Sequence, residues 1–151
     1  MAILHLYRGI PGSGKSTAAM RMFPAVLRVE NDMFSEMDGK YQWSKERIKK
    51  AVPWCISIIR MALENGVDVC VCNTFTKKKF VDNIKKIADE YGAKFEVYRC
   101  VGNFKNTHNL SPMVMNSFRN AMEDYPGEII VNGEQPNKND DDIIPVKEFF
   151  E

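Results

Sequence analysis

The chain has no apolar run near the twenty residues that a membrane-spanning helix needs. It also lacks an excess of either charge. Lys+Arg 21 against Asp+Glu 20 leaves a formal net charge of +1, so no global field draws it to nucleic acid or a membrane, and any polyanion contact must come from a local patch. Cysteine is sparse and wrongly spaced for a zinc site: Cys55, Cys70, Cys72 and Cys100 form no C-x-x-C pair. Cys70 and Cys72 lie two apart in an apparent strand and so share a face, which fits reduced core cysteines. The opening residues MAILHLYRG carry no basic leader and too short an apolar stretch for a signal peptide. The expectation is a cytoplasmic protein with no membrane contact and no obligate protein partner.

What is present is an ordinary globular composition over 151 residues, 44% hydrophobic and 27% charged, enough for one domain that buries roughly two-thirds of its unfolded surface. The patterning predicts a strand over 2–7, a helix over 15–23 stopped by Pro24, and a strand over 25–29 that closes on Glu30-Asn31-Asp32. SEMDGKYQW reads as an exposed loop. Ser44 is placed as the N-cap of a helix to about Asn65, which Pro53 should kink or divide. A strand over 67–72 follows, then a helix capped by Thr76 and running to Tyr91, with Phe80, Val81, Ile84, Ile87 and Ala88 on one side. Lys94 to Cys100 alternates as a strand, Ser111-Pro112 opens a helix to about Met122, and a last strand falls within 127–133. Strands alternating with helices imply a parallel sheet covered on both faces. The expected domain spans 1–133, with a lid at about 102–122 and a polar, acidic tail over 134–151.

Within this frame, Gly9-Ile10-Pro11-Gly12-Ser13-Gly14-Lys15-Ser16 satisfies G-x-x-x-x-G-K-[ST], and Thr17 completes the stretch. It lies between a strand and a helix, as its mechanism requires. The glycines let the backbone curl so that N–H groups point at phosphate oxygens. The helix start adds its positive end, Lys15 reaches the β- and γ-phosphates, and the Ser16 hydroxyl ligates Mg²⁺. A chance match in a chain of this length is on the order of one in a hundred. The motif points to a nucleoside triphosphate. Strand-end ligand binding in parallel sheets then gathers three polar clusters on one edge: this loop, Asn31-Asp32 and Asn73-Thr74.

GIPGSGKST after the first strand, an aspartate past the second, CNTFT past the third, and NTHNLSP followed by YPGEII resemble the small P-loop kinases of the polynucleotide 5′-hydroxyl kinase and zeta-toxin-like group. The resemblance covers about residues 1–131. It implies a three-layer α/β P-loop kinase fold of about five parallel strands with a small lid, at home in a bacterial or phage-infected cytoplasm. It further implies ATP as donor, Mg²⁺ as cofactor, and a 5′-hydroxyl nucleic acid end as the favoured acceptor. Asp32 matches the general base and could also hold Mg²⁺, or else it caps the following segment. Asn73 and Thr74 match a polar pair on the acceptor side, or else they cap the next helix. Lys105 stands where the group has a lid arginine that assists transfer, and supplies charge without the bidentate fork. Asn31 and Ser35 replace arginines flanking the aspartate, and Asn73 replaces an acid. The alternatives are a kinase of a small molecule, nucleoside or nucleotide-like sugar, or a nucleotide-dependent regulatory ATPase. Lys77-Lys78-Lys79 and the segment from Lys40 to Lys50, with Tyr41 and Trp43, are basic patches that fit either an anion or a solvated face. Arg99 and Arg119 are candidates for adenine or phosphate contacts, and His108 for a conformational hydrogen bond in the lid.

Overall fold

A computed structural model describes residues 1–35, 45–104 and 110–132. The strands are β1 (Ile3–Arg8), β2 (Leu27–Val29), β3 (Val69–Cys72), β4 (Lys94–Cys100) and β5 (Ile129–Val131). The helices are α1 (Lys15–Met22), α2 (Asn31–Ser35), α3 (Lys45–Glu64), α4 (Lys78–Glu90) and α5 (Pro112–Ala121). The five strands form one sheet in the order β2-β3-β1-β4-β5, and every pairing is parallel. This is the expected α/β P-loop kinase architecture. Among the described residues no helix is long and apolar enough to cross a membrane.

The period of two in the strands divides the core. Leu4, Leu6, Val29, Val69, Val71 and Val97 face α3 and α4, meeting Cys55, Ile59, Ala62 and Leu63 from one and Val81, Ile84, Ile87 and Ala88 from the other. Tyr7, Cys70, Cys72, Tyr98 and Cys100 face the opposite way onto Ala18, Ala19 and Phe23. Each fully buried aliphatic side chain contributes roughly 1.5–3 kcal/mol, which fixes register, since a one-residue slip would turn these faces outside in. All four cysteines are free and buried, and burial pushes the Cys100 thiol up to about 11.

Three expectations change. The helix at Pro53 is not divided: α3 runs unbroken through it. The carbonyl that Pro53 cannot satisfy is that of Lys49, and both residues are exposed, so water can take the lost bond while Cys55, Ile59 and Leu63 still pack on the sheet. Thr76 does not cap α4: the cap position is Lys77, without a side-chain bond. The Lys78 amide instead donates to Glu123 Oε1 at 2.9 Å, a partner 45 residues away that local sequence cannot reveal. Phe80, expected on the apolar side, is 42% exposed. The Ser111 cap is as expected, with its hydroxyl accepting from the Val114 amide at 3.3 Å.

Candidate functional site

The carboxyl ends of β1, β2 and β3 bring the three polar clusters together. The loop from Gly9 to Gly14 leaves β1 and enters α1, and Gly14, the cap residue of α1, has φ 90°, a conformation that disfavours any side chain. Gly9 is required by a close approach: a Cβ there would lie 2.3 Å from Ser13 Oγ and 2.7 Å from the Cys100 carbonyl oxygen. Pro11 and Gly12 form the turn between them, half-buried, and Ser13 is 1% exposed. Thr17 is exposed on α1. With no acid in its first turn, α1 presents an uncompensated positive end to the loop.

Lys15 folds back over this loop, with Nζ donating to the Gly9 carbonyl at 2.9 Å and the Ile10 carbonyl at 3.1 Å. Burial holds its ammonium below the usual lysine range, against the pull of nearby negative groups that include Glu30 and Asp32. Ser16 Oγ donates to Glu30 Oε1. Arg28 Nε lies 3.4 Å from the other Glu30 oxygen, and burial raises the Glu30 carboxyl above the usual range despite the Ser16 hydrogen bond. Ser16 and Glu30 thus form an oxygen-only pair, which suits Mg²⁺. No group of three or more His, Cys, Asp or Glu converges on a metal position among the described residues.

Asp32 stands exposed in the first turn of α2. Asn73 does not cap α4: its Oδ1 accepts from the Asn31 amide at 2.9 Å, joining the end of β3 to the turn that carries Asp32. Thr74 contributes its main chain, its carbonyl accepting from the Gly9 amide at 3.2 Å. Past the end of β4, Gly102 and Phe104 donate backbone bonds to the Ser13 and Gly12 carbonyls at 3.1 and 2.8 Å. Lys105 and His108 lie outside the described residues, as do Lys40, Tyr41, Trp43 and the tail after 132.

Beside the loop, Gly9, Ile10, Val101, Gly102, Arg119 and Met122 line a cleft together with Arg99 and Cys100. Arg99 is paired with Asp124 and lies 3.3 Å from Glu128, whereas Arg119 donates to Asn116 at 2.9 Å. Glu30 is the residue that sequence reasoning left without a role. Its signal was present in the E-x-D spacing that puts two carboxylates at one strand end.

A family model described as an AAA domain matches residues 4–102. An uncharacterised protein of Pasteurella multocida is 31% identical over 154 aligned positions, covering 90% of this chain and 86% of that protein. Among solved structures, a candidate kinase from Chloroflexus aurantiacus matches with TM-score 0.67 at 15% identity, covering 98% of this chain and 94% of that one. A sugar kinase from Janibacter sp. HTCC2649 matches with TM-score 0.63 at 15% identity over 90% and 88%. A chain of the Pnkp1/Rnl/Hen1 RNA repair complex matches with TM-score 0.59 at 18% identity, over 83% of this chain and 40% of that chain. At these identities the structural likenesses establish the fold.

Proposed function

The chain belongs to the AAA domain family whose model it matches over residues 4–102, and on that premise we propose that it is an ATP- and Mg²⁺-dependent kinase transferring the γ-phosphoryl group to a hydroxyl. One observation carries this reading: Lys15, the Ser16–Glu30 pair and the Asp32 turn meet at one sheet edge, beside the N-terminal end of α1. A loop that only held phosphate would have no use for two carboxylates there.

In this reading Asp32 accepts the proton of the acceptor hydroxyl as its oxygen attacks the γ-phosphorus and the bond to the bridging oxygen of ADP breaks. Lys15 exchanges its two loop carbonyls for phosphate oxygens and offsets the charge shifted to the leaving group. Ser16 would be the direct protein ligand of Mg²⁺, with Glu30 and Asp32 reaching it through water. The ion would neutralise charge on the phosphates. Lys105 is the lid cation in this reading, and Thr74 and Asn73 border the acceptor.

The favoured acceptor is a 5′-hydroxyl nucleic acid end, as the resemblance implies, and the fold likeness to a chain of an RNA repair complex agrees with it. A small-molecule hydroxyl is the second reading, favoured by Asn31 and Ser35, which stand where the resembled group has arginines, one of them gripping the acceptor phosphate. Incubation with γ-labelled ATP and panels of 5′-hydroxyl oligonucleotides, nucleosides and sugars tests both. Label on an oligonucleotide supports the first reading and label on a small polyol the second. Release of inorganic phosphate alone would refute the kinase.

A further inference from the structure

Arg8 has no place in the chemistry above, yet it is the most completely buried charged residue described, at 0% exposure. It occupies the last position of β1, on the face where the apolar alternation of Leu4 and Leu6 would otherwise continue. A cation there demands partners, and it has them on two sides. Nε and Nη2 both donate to the Phe75 carbonyl, at 3.0 and 2.7 Å, and Nη2 also reaches the Thr76 carbonyl at 3.3 Å. Nη1 donates to Glu128 Oε2 at 2.9 Å. Glu128 is itself braced by Arg99 and the Tyr125 amide, and Glu123 ties the same segment to Thr76 and Lys78.

Phe75 is the one non-glycine residue with positive φ among those described, at 43°, a backbone state that phenylalanine disfavours. Such a turn persists only where its surroundings impose it. The guanidinium fork holds the Phe75 carbonyl, and the Phe75 side chain packs against the core. Two residues earlier, Asn73 accepts from the Asn31 amide, and one residue earlier, Thr74 accepts from the amide of Gly9.

We propose that Arg8 is a positioning residue for phosphoryl transfer: by clamping the Phe75 carbonyl it fixes the β3–α4 turn, so that Asn73 holds the turn carrying Asp32 in register with the phosphate loop. The assignment rests on the kinase reading for its catalytic consequence but not for its geometry. A point-charge lysine cannot reproduce a fork with several donors on two carbonyls and a carboxylate.

The test compares wild type with Arg8→Met/Glu128→Gln, which removes both members of the buried pair and leaves no lone charge, and with Arg8→Lys should the first variant fail to fold. Affinity for ATP·Mg²⁺ should stay within about threefold of wild type while transfer falls by about a hundredfold, the scale of a small misplacement of a catalytic group. Hydrogen exchange at the Asn31 amide should accelerate while the interior amides of β1 and β4 keep their protection. Adding Phe75→Asn should recover part of the lost transfer, since asparagine accepts positive φ more readily. A residue serving only the core would give the opposite sign, because that change also removes apolar packing. Unchanged transfer with unchanged Asn31 exchange, or a further loss on adding Phe75→Asn, would overturn the proposal. A wild-type protein that phosphorylates no hydroxyl would sink the kinase reading alone, and the Asn31 amide would then decide the clamp by itself.

Discussion

Replacing Glu30 by glutamine separates charge from shape at the metal position. The amide oxygen can still accept the Ser16 hydroxyl hydrogen bond that the carboxylate now takes, so the turn should keep its geometry. What is lost is a negative charge one water away from the ion that Ser16 would ligate. Groups in that outer position typically contribute tenfold to a hundredfold in metal affinity, which is about 1.4–2.7 kcal/mol. The folded protein without nucleotide should respond differently. Burial disfavours the Glu30 anion while Arg28 Nε, 3.4 Å away, favours it, so a neutral isostere gains on the first count, loses on the second, and should leave thermal stability little changed. Calorimetric titration of Mg²⁺ into the protein with ATP should give the weaker metal binding, and transfer assayed across Mg²⁺ should show a midpoint displaced by the same factor. Near-saturating Mg²⁺ should restore most of the rate. An unmoved midpoint, or a large fall in the melting temperature without one, would mean that Glu30 is a structural acid and that the oxygen pair with Ser16 is not a metal site.

Lys15→Ala should abolish tight ATP binding while leaving the far-ultraviolet spectrum intact, since Nζ donates to the Gly9 and Ile10 carbonyls of the loop and not into the core; unchanged affinity by calorimetry would refute the donor site. Asp32→Asn should bind ATP normally and lose about a hundredfold to ten-thousandfold in transfer, and, unlike Glu30→Gln, should not recover with added Mg²⁺. His5 is buried and its pKa is lowered by desolvation, against the pull of Glu96 3.2 Å away. Its neutral form therefore favours the fold: that stability is present above the ordinary value of 6.5 and is lost as pH falls through the depressed one. Denaturant midpoints measured downward from pH 7 should decline for wild type and decline less for His5→Phe; parallel curves would exclude His5 as the source.

The parts of this fold that were legible in the sequence are those set by local chemistry or by period. The strand order of polar clusters, the glycine-lysine loop and the Ser111-Pro112 helix start each depend on residues a few positions apart. The parts that were not legible depend on partners far along the chain. Threonine before a lysine-rich helix is a local cap signal, whereas the Lys78 amide that such a cap would satisfy donates to the Glu123 carboxylate. Pro53 carries the local signal of a kink or a division, and the division is absent because the packing of α3 that outweighs the local cost is tertiary. Arg8 sat unremarked at a strand end because nothing in its neighbourhood shows that Phe75 and Glu128 meet there. Asn73 was read correctly as polar and strand-terminal, but its bond to Asn31 spans 42 residues.

The polar groups of the glycine-lysine loop are arranged in a way that favours an anionic ligand such as phosphate. Its carbonyls are taken from outside or from across: Gly9 and Ile10 by Lys15, Gly12 by Phe104, Ser13 by Gly102. The amides of Gly12, Gly14, Lys15 and Ser16 have no such partner among the described residues, as the first turn of a helix dictates. Acceptors are consumed while donors stay open, so the loop repels a cation and attracts an anion before any nucleotide arrives. The same arrangement sets what binding must displace. Lys15 and Ser16 each hold an internal partner that, in the proposed reading, a triphosphate and its metal would replace, so the gain on binding would be a difference between two sets of bonds, not the sum of the new ones. Bonds kept in reserve on neutral carbonyls are weaker than bonds to a charged phosphate. The exchange therefore runs toward the nucleotide, and most strongly as charge builds on the transferring group.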